Sequence, residues 1–235
     1  PTANDYLKGM FGTTNRTQLH ETLNNVAAER APFMERLAAL DVTEITSDPE
    51  LLNFSMAGGK AIFADNCAPC HGTGGSGNPG FPSLQDDAWL WGGTLETINE
   101  TLHVGIRWDA NEDTRMNDMP AFGRDELLER DQIDDVVQYV LHFTDRATDK
   151  AAADRGAIVF EENCASCHGD NAKGIQELGA PNLTDAIWLY GGDKATITET
   201  VTNSRRGVMP AWEGRLDEET IKMLTVYVHS LGGGQ

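Results

Sequence analysis

The chain has 235 residues, 40% hydrophobic and 7% aromatic, which is enough apolar content for folded cores and excludes a disordered or collagen-like chain. Lys and Arg number 18 against 37 Asp and Glu, a net charge of −19 that repels phosphate backbones and makes nucleic acid a poor partner. No run approaches the roughly 18 apolar residues of a membrane-spanning helix, and the chain opens at Pro1 without a basic or apolar leader, so any targeting or anchoring segment is expected to lie outside this sequence.

Residues 1–52 read as an N-terminal helical arm. Leu19, Leu23 and Val26, then Phe33, Leu37 and Leu40, give two amphipathic helical stretches, with a break expected near Pro32. Asp48-Pro49 reads as cap and first residue of the next helix. Residues 53–145 then carry a helix ahead of Cys67-Ala68-Pro69-Cys70-His71, a long loop, a short helix after Trp89-Leu90-Trp91-Gly92-Gly93, a Met-bearing loop and a final helix. Asp131 is the expected N-cap of that helix, ahead of Ile133, Val136, Val137 and Val140 at helical spacing.

Thr144 to Ala153 is polar and small, a linker of ten residues that spans at most roughly 35 Å and keeps the flanking domains neighbours. Residues 154–235 repeat what precedes it. Cys164-Ala165-Ser166-Cys167-His168 follows the first motif at an offset of 97, the Pro-x-Leu and aromatic-Gly-Gly segments at 99, and Met-Pro-Ala-aromatic at 90. Ile221 and Tyr227-Val228 follow Ile133 and Tyr139-Val140 at 88, with Asp217 as the expected cap. The fold class is therefore all-α, two copies of one domain behind an arm. Gly59 and its equivalent Gly156 lie one turn before Phe63 and Phe160, where a missing side chain would let a helix carrying Tyr139 or Tyr227 cross closely.

All four cysteines fall in the two CxxCH motifs. A zinc site would need both pairs to converge on one ion across a spacing far beyond a zinc ribbon, and a thioredoxin-like site would need a βαβ context that the helical flanks do not supply. Two CxxCH motifs instead point to two covalently bound haem c groups, with thioethers from Cys67, Cys70, Cys164 and Cys167 and proximal iron ligands from His71 and His168. A Met opposite His fills the sixth position in many electron carriers. Met209 and Met119 share the Met-Pro-Ala-aromatic motif and are preferred, with Met116 as runner-up in the first copy and His103 as a bis-His alternative. Pro82 and Pro181 are either turn prolines or carriers of a carbonyl that accepts the imidazole Nδ1 proton. Trp89, Trp91, Trp188 and Tyr190 are either core aromatics or haem-wall and propionate contacts.

The segments NCAPCHGTGGSGNPGFPSL, DDAWLWGG, TRMNDMPAFG, NCASCHGDNAKG, GAPNLTDAIWLYGGD and RRGVMPAWEGRL resemble the di-haem subunit III of cbb3-type cytochrome c oxidases, and so do ERAPFMERLAAL and DPELLNFSMAGG in the arm. The resemblance implies two tandem class I cytochrome c folds on the periplasmic face of the bacterial inner membrane, held by an anchor absent from this chain. It assigns Cys67, Cys70, His71 and Met119 to one haem and Cys164, Cys167, His168 and Met209 to the other. It implies a relay of single electrons from a soluble cytochrome c donor to the mono-haem and catalytic subunits, with no catalytic residue here. A freestanding tandem carrier and a di-haem peroxidase with one open iron are the rival expectations.

Overall fold

A computed structural model describes residue 10 and residues 13–232; the outer ends of the arm and of the second copy lie outside the described residues. The chain forms α1 (Asn15–Ala39), α2 (Pro49–Asn66), α3 (Ala68–His71), α4 (Leu95–Val104), α5 (Arg130–His142), α6 (Lys150–Asn163), α7 (Ala165–His168), α8 (Lys194–Asn203) and α9 (Glu218–His229). Among the described residues there is no β-strand, only isolated bridges.

Local chemistry explains most of these boundaries. The Asp48 carboxylate accepts from the N–H groups of Glu50 and Leu51 at 3.0 and 3.2 Å, so α2 starts at Pro49 as expected. Asp217 does the same for α9, accepting from Thr220 N–H at 2.8 Å. Two expectations fail. The cap of α5 is Glu129, whose N–H donates to the Gln132 side chain at 2.9 Å; the Gln three residues on builds a capping box that pulls the start upstream of Asp131. And α1 runs unbroken through Pro32. The proline removes a donor to the Ala28 carbonyl, but the helix is solvent-exposed there, so water can take the bond that the backbone loses.

The linker is also shorter than expected, because Asp149 caps α6 by accepting from Ala152 N–H at 3.0 Å and turns the end of that stretch helical. The buried Gln138 of α5 fixes the remaining turn: its Oε1 accepts from the N–H groups of Thr148 and Asp149 at 2.9 and 3.2 Å. Helices joined by so short a connection pack against each other antiparallel. Accordingly α5 packs on α6, and α2 packs on α9 from the far end of the sequence.

That pairing sorts the molecule into two bodies that cut across the two sequence copies. Body one combines α2, α3 and α4 with α9, around Phe63, Ile98, Leu102, Trp212, Leu224 and Tyr227. Body two combines α5, α6, α7 and α8, around Phe122, Val136, Val140, Phe160, Ile197 and Val201. Body two is continuous in sequence; body one is interrupted by it. The two helix crossings rest on the predicted glycines, in opposite-copy pairs: a Cβ at Gly59 would overlap Met223 and Tyr227, and one at Gly156 would overlap Asp135 and Tyr139.

The arm docks on body one. Leu37, Ile45 and Leu51 join Met223 and Val226 of α9 in a third cluster, and Phe33 stacks on Phe54 at 4.7 Å. The buried Lys222 ammonium donates to the Leu37 and Leu40 carbonyls at 3.1 and 2.8 Å, which satisfies the end of α1.

Candidate haem sites

Each CxxCH motif starts where a long helix ends. Cys67 and Cys164 are the C-cap residues of α2 and α6, and their N–H groups still bond to Phe63 and Phe160 carbonyls. A single turn follows, in which the N–H groups of Cys70 and His71 both donate to the Cys67 carbonyl, at 3.1 and 2.9 Å; Cys167 and His168 repeat this on Cys164 at the same two distances. The turn gathers both thiols and the imidazole into one short segment. None of the four cysteines is paired in a disulfide, which leaves each sulfur for a thioether bond. Burial, with the neighbouring thiol, pushes the unattached Cys67 and Cys164 thiols up to about 11.

The imidazoles are oriented from behind. His71 Nδ1 lies 3.0 Å from the Pro82 carbonyl and His168 Nδ1 lies 3.0 Å from the Pro181 carbonyl. A carbonyl only accepts, so Nδ1 carries the proton and Nε2 presents its lone pair. Burial lowers both histidine pKa values despite that bond, which keeps each ring neutral and able to bind metal. Of the two roles open for Pro82 and Pro181, the geometry selects carbonyl acceptor.

The methionines are exchanged relative to expectation. Met119 lines the cavity that holds Cys164, Cys167 and His168, whereas Met209 packs on the cluster that contains Cys67. The Met119 loop is tied to α8: the Phe122 and Gly123 N–H groups donate to the Val201 and Thr202 carbonyls at 3.0 and 3.1 Å, and Ser204 Oγ donates to the Met119 carbonyl at 2.7 Å. The mirror bonds tie the Met209 loop to the end of α4, from Trp212 N–H to Leu102 O at 2.8 Å, with Ile106 and Met209 exchanging both backbone bonds at 2.9 Å. The structure thus groups Met119 with His168 and Met209 with the Cys67 cluster, across the two sequence copies. The cause is the short α5–α6 turn, which commits the C-terminal half of each copy to the N-terminal half of the other.

The remaining candidates sort by exposure and partner. Met116 is 57% exposed, and His103 faces Glu218 at 3.3 Å. Among the described residues no three His, Cys, Asp or Glu side chains gather as a metal cage, and the two CxxC pairs sit in different bodies, which removes the zinc reading. The site also fits a carboxylate-bearing macrocycle. Trp89 Nε1 and Arg115 Nε are buried without an acceptor in body one, and buried donors of that kind call for an anionic partner such as a haem propionate. Arg107 was not foreseen. It lines the His168 cavity, and its Nε and Nη1 donate to the Gly207 and Asn117 carbonyls at 2.7 and 2.9 Å, joining the two methionine loops. Burial lowers its pKa against the opposing pull of Asp118. The fall in repeat offset from 99 to 90 marks the extra segment that carries it.

Comparison with known proteins gives the family. Residues 56–144 match the cytochrome c family and residues 151–228 match the family of cbb3-type cytochrome c oxidase subunit III. The chain is 51% identical over 243 aligned positions to the cbb3-type cytochrome c oxidase subunit CcoP of Azospirillum sp. strain B510, covering all of this chain and 82% of that protein. It is 51% identical over 236 positions to subunit FixP of Bradyrhizobium sp. strain ORS 278, and 46% identical over 235 positions to CcoP of Cereibacter sphaeroides; each match covers all of this chain and 81% of the relative. Two cytochrome c domains with two CxxCH motifs carry two covalent haem c groups. The chain belongs to the subunit III family of cbb3-type cytochrome c oxidases.

Proposed function

We propose that this chain relays single electrons from a soluble cytochrome c to the mono-haem and catalytic subunits of a cbb3-type oxidase on the periplasmic face of the membrane, one haem being held by Cys67, Cys70, His71 and Met209 and the other by Cys164, Cys167, His168 and Met119. The observation that carries this reading is the cavity in which Met119, Cys164, Cys167 and His168 meet. When bound, each haem supplies a one-electron iron couple. The protein's residues do the rest: the cysteine sulfurs would hold the macrocycle covalently, the prolyl carbonyls orient the imidazoles, and the methionine thioethers would supply a second iron ligand that raises the potential. Met119 and Met209 would each supply a bound haem with a second protein ligand beside a histidine, which disfavours the peroxidase alternative. No helix among the described residues is long and apolar enough to cross a membrane.

Isolation of the full-length protein from membranes tests partner and role together. Copurification with an oxidase, and loss of oxygen consumption driven by reduced soluble cytochrome c when this subunit is stripped away, is the expected result. Recovery of the protein free of any oxidase, with unchanged oxygen consumption, would return the freestanding carrier.

A further inference from the structure

The two loops that follow the CxxCH motifs face each other across a crevice of about 450 Å³ that both Pro82 and Pro181 line. Each loop is met by an aromatic ring from the opposite body. The Trp91 indole occupies the space where Gly179 would carry a Cβ, and a methyl group there would overlap the ring. Tyr190, in the wall of the His168 cavity, approaches Gly80 so that a Cβ would sit 3.3 Å from its Cε1. Both glycines have positive φ, 81° at Gly80 and 61° at Gly179, a backbone state that favours glycine and leaves the ring room.

The two contacts are equivalent by the internal repeat, and so is their support. Arg115 and Arg205 each place a guanidinium carbon 5.5 Å from the centroid of Trp91 and Tyr190 respectively. Two hydrogen bonds fasten the same junction: Gly80 N–H donates to the Leu189 carbonyl at 3.0 Å and Gln176 Nε2 to the Trp89 carbonyl at 2.9 Å. Each glycine stands two residues before the proline whose carbonyl holds a proximal histidine. The intervening turns are tight, with Phe81 N–H on the Asn78 carbonyl at 2.8 Å and Ala180 N–H on the Ile175 carbonyl at 3.2 Å, so displacement at the glycine reaches the prolyl carbonyl.

We propose that Trp91 and Tyr190 are positioning residues for the proximal imidazole of the opposite body: Trp91 acts on His168 through Gly179 and Pro181, and Tyr190 acts on His71 through Gly80 and Pro82. The bond from Nδ1–H to a carbonyl sets ring orientation and imidazole basicity, and through them the iron potential. The inference rests on His71 and His168 being the proximal ligands.

The test is potentiometric titration of the two-haem protein carrying Trp91→Leu, Trp91→Phe, Tyr190→Leu or Tyr190→Phe, with each wave assigned by its loss of methionine ligation in Met119→Leu or Met209→Leu. Trp91→Leu is expected to change the redox equilibrium constant of the His168 haem at least threefold, about 28 mV at 59 mV per tenfold, and that of the His71 haem by less; Trp91→Phe restores it. Tyr190→Leu is expected to give the reverse. A shift confined to the haem of the ring's own body, or no shift in either haem, overturns the proposal. If Trp91→Leu fails to accumulate, Tyr190→Leu decides, since that ring stands further from its glycine. Failure of the ligation reading itself would appear elsewhere, as a ferric spectrum of the unsubstituted protein without His/Met low-spin signatures.

Discussion

Met119 shows how far a residue's chemistry and its address can separate. Its repeat motif, Met-Pro-Ala-aromatic, marks it as a ligand and separates it from the exposed Met116, but the motif carries no information on which iron it reaches. The structure places it beside His168. In a variant lacking the first attachment site (Cys67→Ala, Cys70→Ala), Met119→Leu is expected to abolish the remaining methionine-to-iron charge-transfer band and let the reduced iron bind carbon monoxide rapidly, while Met209→Leu leaves that haem unchanged. Absorption spectra of the two variants check this, and the opposite pattern would restore within-copy pairing. Pro82 and Pro181 make the complementary point: the residue type is visible in sequence, whereas the 3.0 Å approach of each carbonyl to an imidazole depends on the fold of the whole loop.

At the scale of helices, boundaries follow local chemistry and pairings do not. Asp48 and Asp217 cap where their sequence context says they should. Asp131 fails because Gln132 completes a box with Glu129, and Pro32 fails as a breaker because the exposed carbonyl it orphans can be hydrated. Gly59 and Gly156 were legible as close-approach positions from their recurrence, with the two tyrosines as candidate partners. Which tyrosine meets which glycine was fixed by the α5–α6 turn. Gly156→Ala drives a methyl group into the Asp135 backbone and Tyr139, and is expected to destabilise the protein by about 1–3 kcal/mol as an overpacked crossing. Urea unfolding of the haem-loaded protein reads this as a lower midpoint at unchanged slope; an unchanged midpoint would mean the α5–α6 crossing is looser than described.

For the molecule as a whole, the exchange makes body two a permuted domain, Met loop first and CxxCH second, inserted into body one between α4 and the Met209 loop. Sequence copies and folded bodies therefore have different boundaries. The fragment 116–206 contains Met119, α5 to α8 and all of the second attachment site, and is expected to mature with one six-coordinate His/Met haem. The copy-defined fragment 154–235 separates Cys164, Cys167 and His168 from Met119 and from the α5 face that covers α6, and is expected to lack methionine ligation. Expression of both with haem attachment, followed by spectra of the reduced and oxidised forms, checks the pair; a His/Met spectrum from 154–235 alone would contradict the exchange.

The sequence by itself determined the chemistry: CxxCH at 67–71 and 164–168 for covalent haem, paired methionine motifs, an internal repeat and helical periodicity throughout. These are properties of residue type and spacing along the chain, and they survive any arrangement of the helices. Tertiary structure alone decided which halves meet. A repeat makes the two ways of pairing α2 and α6 with α5 and α9 alike in residue type, since each crossing sets a glycine against a tyrosine. The seven residues between His142 and Lys150 bias that choice, because the short turn holds α5 beside α6 at low closure entropy, although α9 must then return to α2 across the chain.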